Sequence, residues 1–403
     1  MVTPCLLYRS IPSFLLCGLL LAGPGTTVAD GQNAPEETAA FHFYSEEILL
    51  SSSVGLALPA RPQVKEQAMI SFYRKLTRSP YRPLLDFLMH KKEAFRLNDW
   101  LYYQLIEKAV DALYSEHDPL SRRLTCWFLL SESGYDTRLA YHHDEVDIYV
   151  YTENELYLVP FIRDGARLYA GLTYIGQARE AKSELYVLDF RRDHGGRPFD
   201  FYLERLPYLA PTILTDSLQW SLRDSTYRLD LNFDRTLIDI LDRYPGIDER
   251  QYFRTPLSPT LEQSILPALK PLLEGKSDKE SIQILLSFTR SAFEYREDEQ
   301  QFGANRPLVP DELLYYPFSD CEDRAILFYK LVRHLLDLPM IVVAYPEHIT
   351  IGVRFEGGEG KIFLHQGQKY YACDPTGPPG SDQIGILPAG YENMDYQVIE
   401  QHR

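Results

Sequence analysis

The chain has 403 residues, 45% of them hydrophobic, and a formal net charge of −16 at pH 7. This length is enough for two or three domains with sizeable apolar cores. The acidic balance, without a dense cluster of lysine and arginine, argues against a nucleic-acid partner.

The first 29 residues have the pattern of a secretory signal peptide. Arg9 supplies a positive charge, residues 11–22 form a short apolar run, and the small residues of a cleavage site precede Asp30. The run is too short to span a bilayer. We therefore expect a cleaved signal peptide, a periplasmic or secreted mature protein, and no stable insertion in a membrane.

The cysteines fit the same compartment. Cleavage would remove two of the five and leave Cys126, Cys321 and Cys373. An odd number leaves at least one free thiol in an oxidising compartment, and no CxxC pair suggests zinc. We expect one reactive cysteine, at most one disulfide, and neither a metal nor a cofactor.

Residues 30–182 are expected to form an N-terminal α+β domain. Apolar residues first recur at helical spacing, and from residue 135 their period changes to two. The predicted helices cover residues 65–76, 83–95, 99–114 and 122–130. The predicted strands cover residues 135–141, 146–151, 155–161 and 167–174.

Residues 183–255 are expected to form a β-rich middle domain. Four segments of alternating polarity predict antiparallel strands in a small sheet or half sandwich. These segments are residues 183–190, 198–204, 214–222 and 226–233. A helix is predicted at residues 235–244.

Residues 256–403 are expected to form a C-terminal domain that begins with two helices. The first, residues 261–273, is expected to be broken by Pro267 and Pro271. The second, residues 278–293, follows Ser277, which has Glu280 at capping-box spacing.

Cys321 opens the next predicted helix, residues 321–336. Asp320 suits the N-cap, and Glu322 and Asp323 lie in the first turn, where the helix dipole favours negative charge. A cysteine at a helix N-terminus is expected to have a lowered pKa, so Cys321 is a candidate nucleophile. Alternatively, it is a buried structural thiol.

Three strands follow this helix and carry the other candidate residues. They are predicted at residues 340–345, from residue 348 onwards, and at residues 369–374. His348 begins the second strand and Asp374 ends the third, which gives a nucleophile, a base and an orienting carboxylate in chain order.

Other assignments of these residues are open. His365 follows a strand and is an alternative base, and Asp374 before Pro375 is alternatively a turn residue. Cys373 would place a second thiol near the site, as a disulfide or redox partner.

Together the three motifs resemble the bacterial branch of the transglutaminase-like superfamily. The resemblance rests on S-D-C-E-D-R-A-I-L-F around Cys321, P-E-H-I-T-I-G-V around His348 and Y-Y-A-C-D-P-T around Asp374. It implies a papain-like α+β fold for residues 256–403, with a Cys321-His348-Asp374 triad. Members of the superfamily include cross-linking enzymes, peptidases, amidases and inactive binding modules.

The N-terminal domain is a candidate degenerate copy of the transglutaminase-like domain. Residues 122–141 and 323–345 both contain a helix with aromatic and leucine residues, then a strand ending in Ala-Tyr. This alignment places Leu172 at the position of Asp374 and a residue near Ser121 at that of Cys321, without a matching histidine. The alternative is that any helix followed by a strand shows this pattern.

Two further features of the C-terminal domain bear on the chemistry. Papain-like sites bind an oxyanion with the nucleophile's own N–H and a side-chain donor from upstream. Gln300, Gln301 and Tyr316 are candidates for that donor. The acidic run at residues 297–299 lacks the alternating ligands of a calcium loop and is expected to be a solvated loop.

Two functions follow as hypotheses. The first is an exported cysteine enzyme that attacks an amide bond of a protein or peptide through a thioester on Cys321. Hydrolysis and transfer to an amine share every step up to that thioester, so the sequence does not separate them. The second is a binding or scaffolding protein that keeps the fold without turnover. The sequence does not give the oligomeric state.

Overall fold

The structure, a computed structural model, describes residues 38–51, 56–176, 184–190, 195–316, 318–377 and 383–403. All of them belong to one unit, Glu37–Arg403. The expected signal peptide lies outside the described residues. Across the described ranges, no helix is both long enough and apolar enough to cross a membrane. The fold is mixed α+β, as predicted.

The N-terminal half consists of a hairpin, four helices and a five-stranded antiparallel sheet. Its elements are β1 (Thr38–Phe43), β2 (Glu46–Ser51), α1 (Glu66–Thr77), α2 (Arg82–Ala94), α3 (Asp99–Leu113), α4 (Pro119–Glu132), β3 (Thr137–His142), β4 (Glu145–Tyr151), β5 (Leu156–Tyr157), β6 (Phe161–Asp164), β7 (Arg167–Gly171) and β8 (Tyr186–Val187). The sheet has the order β6-β7-β4-β3-β8. One face of it packs with α4 in a large apolar core that includes Phe128, Leu139 and Ile148.

The helix α4 starts three residues before the predicted segment because its N-terminus is capped. The Asp118 side chain accepts hydrogen bonds from the backbone N–H groups of Leu120 and Ser121. Pro119 occupies the first helical position, where a missing N–H has no consequence.

The predicted four-stranded middle sheet is wrong. β8 pairs with β3 in the N-terminal sheet, and residues 198–204 form no strand. Their backbone N–H groups have other partners, since Asp200 N donates to Asp99 Oδ2 at 2.9 Å and Phe201 N to Asn154 Oδ1 at 2.6 Å. The last two segments do form a hairpin, but it packs on helices of the C-terminal half. The boundaries of a middle domain at residues 183 and 255 stay a prediction.

The C-terminal half begins with that hairpin and ends in a second five-stranded sheet. Its elements are β9 (Ile213–Leu222), β10 (Ser225–Asp234), α5 (Arg235–Leu241), β11 (Gly246–Ile247), α6 (Glu249–Arg254), α7 (Pro259–Leu273), α8 (Asp278–Ser291), β12 (Glu294–Tyr295), α9 (Asp298–Gln301), α10 (Pro310–Tyr315), β13 (Phe318–Ser319), α11 (Cys321–Leu335), β14 (Met340–Tyr345), β15 (His348–Val353), β16 (Ile362–His365), β17 (Gln368–Cys373) and β18 (Gln397–His402). The sheet has the order β16-β17-β15-β14-β18.

Each face of the C-terminal sheet packs against a different layer. Ile349, Ile351 and Cys373 belong to the large core that also contains α11, α8 and the β9–β10 hairpin. The opposite face carries a smaller cluster that includes Tyr345 and Ala372 and is covered by residues of the C-terminal segment. Alternate residues of one strand therefore face the helix layer or this second cluster.

The expected break of α7 at its prolines is wrong. The helix runs from Pro259 to Leu273 with Pro267 and Pro271 inside it. Both prolines are exposed, while the buried face contains Leu261, Ile265, Leu269 and Leu273. Burial of this apolar face holds the helix together despite two missing N–H donors.

The two five-stranded sheets share one topology. A helix, α4 or α11, precedes a hairpin, β3–β4 or β14–β15. The third principal strand, β7 or β17, then pairs with the second strand of the hairpin, and the last strand, β8 or β18, pairs with the first. The short strand β5, which pairs with β11, has no counterpart in this scheme.

Candidate active site

His348 and Asp374 lie side by side on neighbouring strands, as the sequence predicted. β15 and β17 are antiparallel, with Ile351 opposite Cys373. This register places Asp374 diagonally across from His348 on the same face, within reach of its side chain. His348 Nε2 and Asp374 Oδ2 are 2.6 Å apart, and the two residues are 7% and 1% exposed.

The Asp374 carboxylate is held by more than the imidazole. Its Oδ1 accepts hydrogen bonds from the backbone N–H of Thr376, at 2.8 Å, and from the Thr376 hydroxyl. The buried guanidinium of Arg290 donates from Nε to the Asp374 carbonyl at 2.8 Å. Burial opposes the ionised carboxylate, but the bonds from His348 and Thr376 outweigh it and hold the Asp374 pKa below its usual value. The carboxylate is thus a fixed, ionised partner for the imidazole.

Cys321 is the first residue of α11, as predicted, and it lies beside the start of β15. The Asp320 side chain accepts a hydrogen bond from Asp323 N, and the Asp323 side chain accepts one from Asp320 N, which together form a capping box. The thiol is 8% exposed and receives a hydrogen bond from the backbone of Ile349, the residue after His348. Cys321 and His348 are therefore neighbours in space.

The predicted lowering of the Cys321 pKa is wrong. Burial raises the pKa of this thiol well above its usual value, and the carboxylates of Glu322 and Asp320 raise it further. The Ile349 N–H acts in the opposite direction but is outweighed. Two acidic neighbours and the loss of solvent thus overcome the effect of the helix N-terminus.

The thiol has a carboxylate partner that the sequence analysis did not predict. Cys321 Sγ donates a hydrogen bond to Glu322 Oε2 at 2.6 Å. Among the described residues, no hydrogen bond joins Cys321 to His348. Since Asp374 occupies Nε2, the ring nitrogen left for the thiol is Nδ1.

Tyrosines surround the three residues. The Tyr391 ring lies with its centroid 4.9 Å from that of His348, and Tyr345 contacts both rings. Tyr295 is close enough to Cys321 for the thiol to raise the pKa of its phenol, after burial and Glu297. Of the predicted oxyanion donors, Tyr316 packs instead on Phe302 at 5.2 Å. The Ile349 N–H is the donor that the structure places at Sγ.

A group of buried carboxylates lies behind the N-terminus of α11. Oxygen atoms of Asp298, Asp320 and Asp323 lie within 4.8 Å of one another, so the group could hold a hard cation. Asp298 also accepts a hydrogen bond from Arg306 N, and Asp323 accepts one from Leu308 N, both at 2.6 Å. Burial raises the pKa of Asp298 to about 6 and that of Asp323 well above its usual value.

These contacts correct the interpretation of residues 297–299 as a solvated loop. Asp298 is 3% exposed and begins the short helix α9. The carboxylates accept hydrogen bonds from the backbone of residues 306–308 and cap the start of α11. The expectation that the protein uses no metal stays a prediction.

The alternative residues lie elsewhere. His365 pairs with Gln368 at the opposite end of β17 from Asp374, about 20 Å away by strand geometry. Cys373 is fully buried on the helix side of the sheet. It is a free thiol, as are the other two described cysteines, Cys126 and Cys321, so the disulfide considered for it is not present.

Several residues of the site were missed from the sequence. Glu322 stands next to the candidate nucleophile, and Thr376 follows Asp374 in an Asp-Pro-Thr turn, so both had a local signal. Arg290 and Tyr391 come from α8 and from an irregular segment after β17. No periodicity or spacing links these two positions to the triad.

No family model, curated protein or solved structure matches this chain. The site itself brings together a cysteine at the start of a helix and a histidine and an aspartate on the adjacent sheet. Membership of the transglutaminase-like superfamily stays a prediction from the three motifs.

Proposed function

We propose that the chain is an exported cysteine enzyme of transglutaminase-like type that acts on an amide bond of a protein or peptide. The observation that carries this proposal is the buried 2.6 Å contact of His348 Nε2 with Asp374 Oδ2 beside Cys321. A buried histidine held by an ionised carboxylate next to a thiol is the arrangement that activates a cysteine nucleophile.

The proposed reaction starts with rotation of the Cys321 side chain away from Glu322. Sγ gives its proton to His348 Nδ1 and attacks the amide carbonyl carbon, while Asp374 stabilises the imidazolium. His348 then returns the proton to the leaving amine, and the C–N bond breaks to leave a thioester on Cys321. Water or a second amine then gives a proton to His348 and attacks the thioester carbonyl carbon. The C–S bond breaks, the acyl group leaves as a carboxylic acid or a new amide, and His348 returns the proton to Sγ.

The Ile349 N–H supports a role in binding the oxyanion of this intermediate. It lies at Sγ, where the carbonyl carbon of the substrate would be attacked. With the Cys321 N–H at the helix N-terminus, it would provide two backbone donors. Neither donor depends on side-chain identity.

A second candidate function is a binding protein that retains the fold without turnover. The specific observation in its favour is the Cys321–Glu322 hydrogen bond, which keeps the thiol protonated. The ordered Asp374 site favours the enzyme, because Thr376 holds the carboxylate and Arg290 holds the backbone carbonyl of a residue that a mere scaffold would not need to fix.

We also infer that the N-terminal half is a catalytically empty copy of the C-terminal domain. The shared sheet topology supports this inference. Pro119 begins α4 after an aspartate cap, as Cys321 begins α11 after one. Glu145 pairs with the end of β3 as His348 pairs with the end of β14. Neither Pro119 nor Glu145 can serve as the nucleophile or the histidine base of such a site.

The side of the sheet on which each residue lies corrects the register of this alignment. Leu172 packs in the helix-side core, as Cys373 does, so Leu172 corresponds to Cys373 and not to Asp374. Thr173 then takes the place of Asp374 and donates a hydrogen bond to the buried Asp147 at 2.8 Å. The pairing of Leu172 with Asp374 was therefore shifted by one residue. Such a shift places every side chain of a strand on the opposite face of the sheet.

Selective labelling of Cys321 tests the enzyme proposal. The folded protein is treated with iodoacetamide, and the modified cysteine is identified by peptide mapping. We expect alkylation of Cys321 that slows in His348→Ala, while the buried Cys126 and Cys373 stay unmodified. Equal labelling of Cys321 in the wild type and His348→Ala would favour the binding protein.

A further inference from the structure

An irregular segment, residues 383–396, covers the face of the C-terminal sheet that carries His348. Leu387 anchors it in the apolar cluster of that face and is 5% exposed. Backbone hydrogen bonds join Gly385 N to Ala372 O at 2.7 Å and Lys361 N to Gly385 O at 2.9 Å. Lys361 Nζ also donates to the Glu392 carbonyl. The segment is thus attached to β17 and to the chain before β16, on both sides of Tyr391.

Tyr391 projects from this segment onto the candidate base. Its ring centroid is 4.9 Å from that of His348, at an interplanar angle of 43°. Tyr345, opposite His348 in the β14–β15 pair, lies 5.1 Å from Tyr391 and 6.4 Å from His348. The three rings form a triangle in which the imidazole contacts two aromatic side chains.

Tyr391 also lies close to the other two members of the site. The pKa of its phenol is raised by burial and then by Glu347, Cys321 and Asp374. The electrostatic effects of Cys321 and Asp374 on this phenol place Tyr391 in the neighbourhood of both residues.

We propose that Tyr391 is a positioning residue that fixes the His348 imidazole so that Nδ1 faces Cys321. This inference rests on the proposed function. The hydrogen bond that His348 Nε2 donates to Asp374 Oδ2 fixes this nitrogen but leaves the ring free to tilt about that contact. Contacts with two aromatic neighbours, Tyr391 and Tyr345, restrict this tilt.

Tyr396 offers a matched control on the same segment. Its ring packs on Phe363 at 5.1 Å and on Tyr345 at 6.1 Å, and its hydroxyl donates to the Leu364 carbonyl. It does not stack on His348 among the ring contacts of the described residues. Changes at Tyr396 thus disturb the segment without removing the ring that contacts the imidazole.

The test is a double-mutant cycle on the rate of Cys321 alkylation by iodoacetamide. Rates are measured for the wild type, Tyr391→Ala, His348→Ala and the double variant, with unfolding curves to show that each is folded. The cycle cancels any change in access to the thiol, because that change is present with and without His348. Tyr391→Phe, Tyr396→Ala and Tyr396→Phe complete the set.

We expect Tyr391→Ala to reduce the part of the rate that depends on His348 by about two- to tenfold. Tyr391→Phe keeps the ring, so it should keep the His348-dependent part of the rate at the wild-type value. The Tyr396 variants should leave this part of the rate unchanged. No coupling between Tyr391→Ala and His348→Ala would overturn the inference, as would a Tyr391→Phe rate as low as that of Tyr391→Ala. If His348→Ala itself leaves the alkylation rate unchanged, both the proposed function and the inference fail. If His348→Ala slows alkylation but shows no coupling with Tyr391→Ala, only the inference fails.

Discussion

At the scale of single residues, Glu322 controls the state of the candidate nucleophile. Its carboxylate accepts the thiol hydrogen bond at 2.6 Å and repels the thiolate that catalysis requires. The sequence placed Cys321 correctly at a helix N-terminus, but the helix dipole is the weaker effect here. Burial and two carboxylates determine the pKa, and neither effect has a signature in the local sequence beyond the presence of acids.

Replacement of Glu322 by glutamine should make Cys321 more acidic. The variant keeps the shape of the side chain but removes its charge, so the thiolate is no longer repelled. A decrease of about one pKa unit would raise the thiolate fraction, and the alkylation rate at neutral pH, about tenfold. The pH dependence of iodoacetamide labelling measures this change.

The exposed Glu274→Gln serves as the control for that experiment, because Glu274 ends α7 away from the thiol. A thiol pKa that stays the same or rises in Glu322→Gln would show that the carboxylate does not govern it.

At the scale of elements, the starts of α3, α8 and α11 were predictable, and a side chain caps each of them. Ser277 accepts from Glu280 N, as its capping-box spacing predicted, and Asn98 accepts from Leu101 N at the start of α3. The continuity of α7 was not predictable, because burial of four apolar residues on one face outweighs two prolines on the other. Residues 198–204 alternate like a strand, but side-chain acceptors on α3 and after β4 take their N–H groups.

Pro267→Ala should stabilise the protein. Pro267 is exposed inside α7, so alanine restores a helical hydrogen bond without disturbing the core. We expect an increase of about 1–2 kcal/mol in the free energy of unfolding, smaller than the full helix penalty because proline also restricts the unfolded chain. Thermal and urea unfolding measure it. Pro259→Ala, at the first helical position, should not stabilise; a lower Tm for Pro267→Ala would contradict the explanation.

Lys330 on α11 should make stability depend on pH. Its ammonium is 2% exposed and donates to the Phe253 carbonyl, and burial, with repulsion from Arg333, lowers its pKa to about 7. Between this value and about 10.4 the unfolded chain holds a proton that the folded chain lacks. Unfolding free energy from this group therefore rises with pH, by up to about 1.4 kcal/mol per unit.

Urea unfolding of the wild type and Lys330→Met from neutral to mildly alkaline pH checks this dependence. As the pH rises, the free energy of unfolding of the wild type should increase relative to that of Lys330→Met. The exposed Lys276→Met should follow the wild type at every pH. A constant difference between the wild type and Lys330→Met would show that Lys330 is neutral or charged in both states alike.

At the scale of the whole molecule, much of the order of elements in the C-terminal half was predictable, and so were the positions of Cys321 at a helix start and of His348 beside Asp374. Strong helical periodicity and short alternating runs predict α8, α11 and the strands β14, β15 and β17. Pairing over long distances was not predictable, as the packing of the β9–β10 hairpin on α7 and α8 shows. The same limit applies to Tyr391, which reaches His348 through the path of an irregular segment.

The repeated sheet topology assigns different tasks to the two halves within this account. In the inferred copy, Pro119 on α4, Glu145 on β4 and Thr173 take the positions of the candidate triad, so we expect no chemistry from the N-terminal half. All turnover should then depend on Cys321, and the other two described cysteines should be dispensable for it. Cys126→Ala and Cys373→Ala are therefore the matched controls for loss of the nucleophile.

Formation of an acyl thioester on Cys321 tests the central claim most directly. The protein is mixed with a p-nitrophenyl ester, and the acyl adduct is followed by intact mass and located by peptide mapping. We predict a hydroxylamine-sensitive adduct on Cys321 that is absent in Cys321→Ala and forms about 10²–10⁴ times more slowly in His348→Ala. Asp374→Ala should lie between the wild type and His348→Ala, because the imidazole keeps its basicity but loses its orientation. Equal rates of acylation in the wild type and His348→Ala, or an adduct on another residue, would contradict the account.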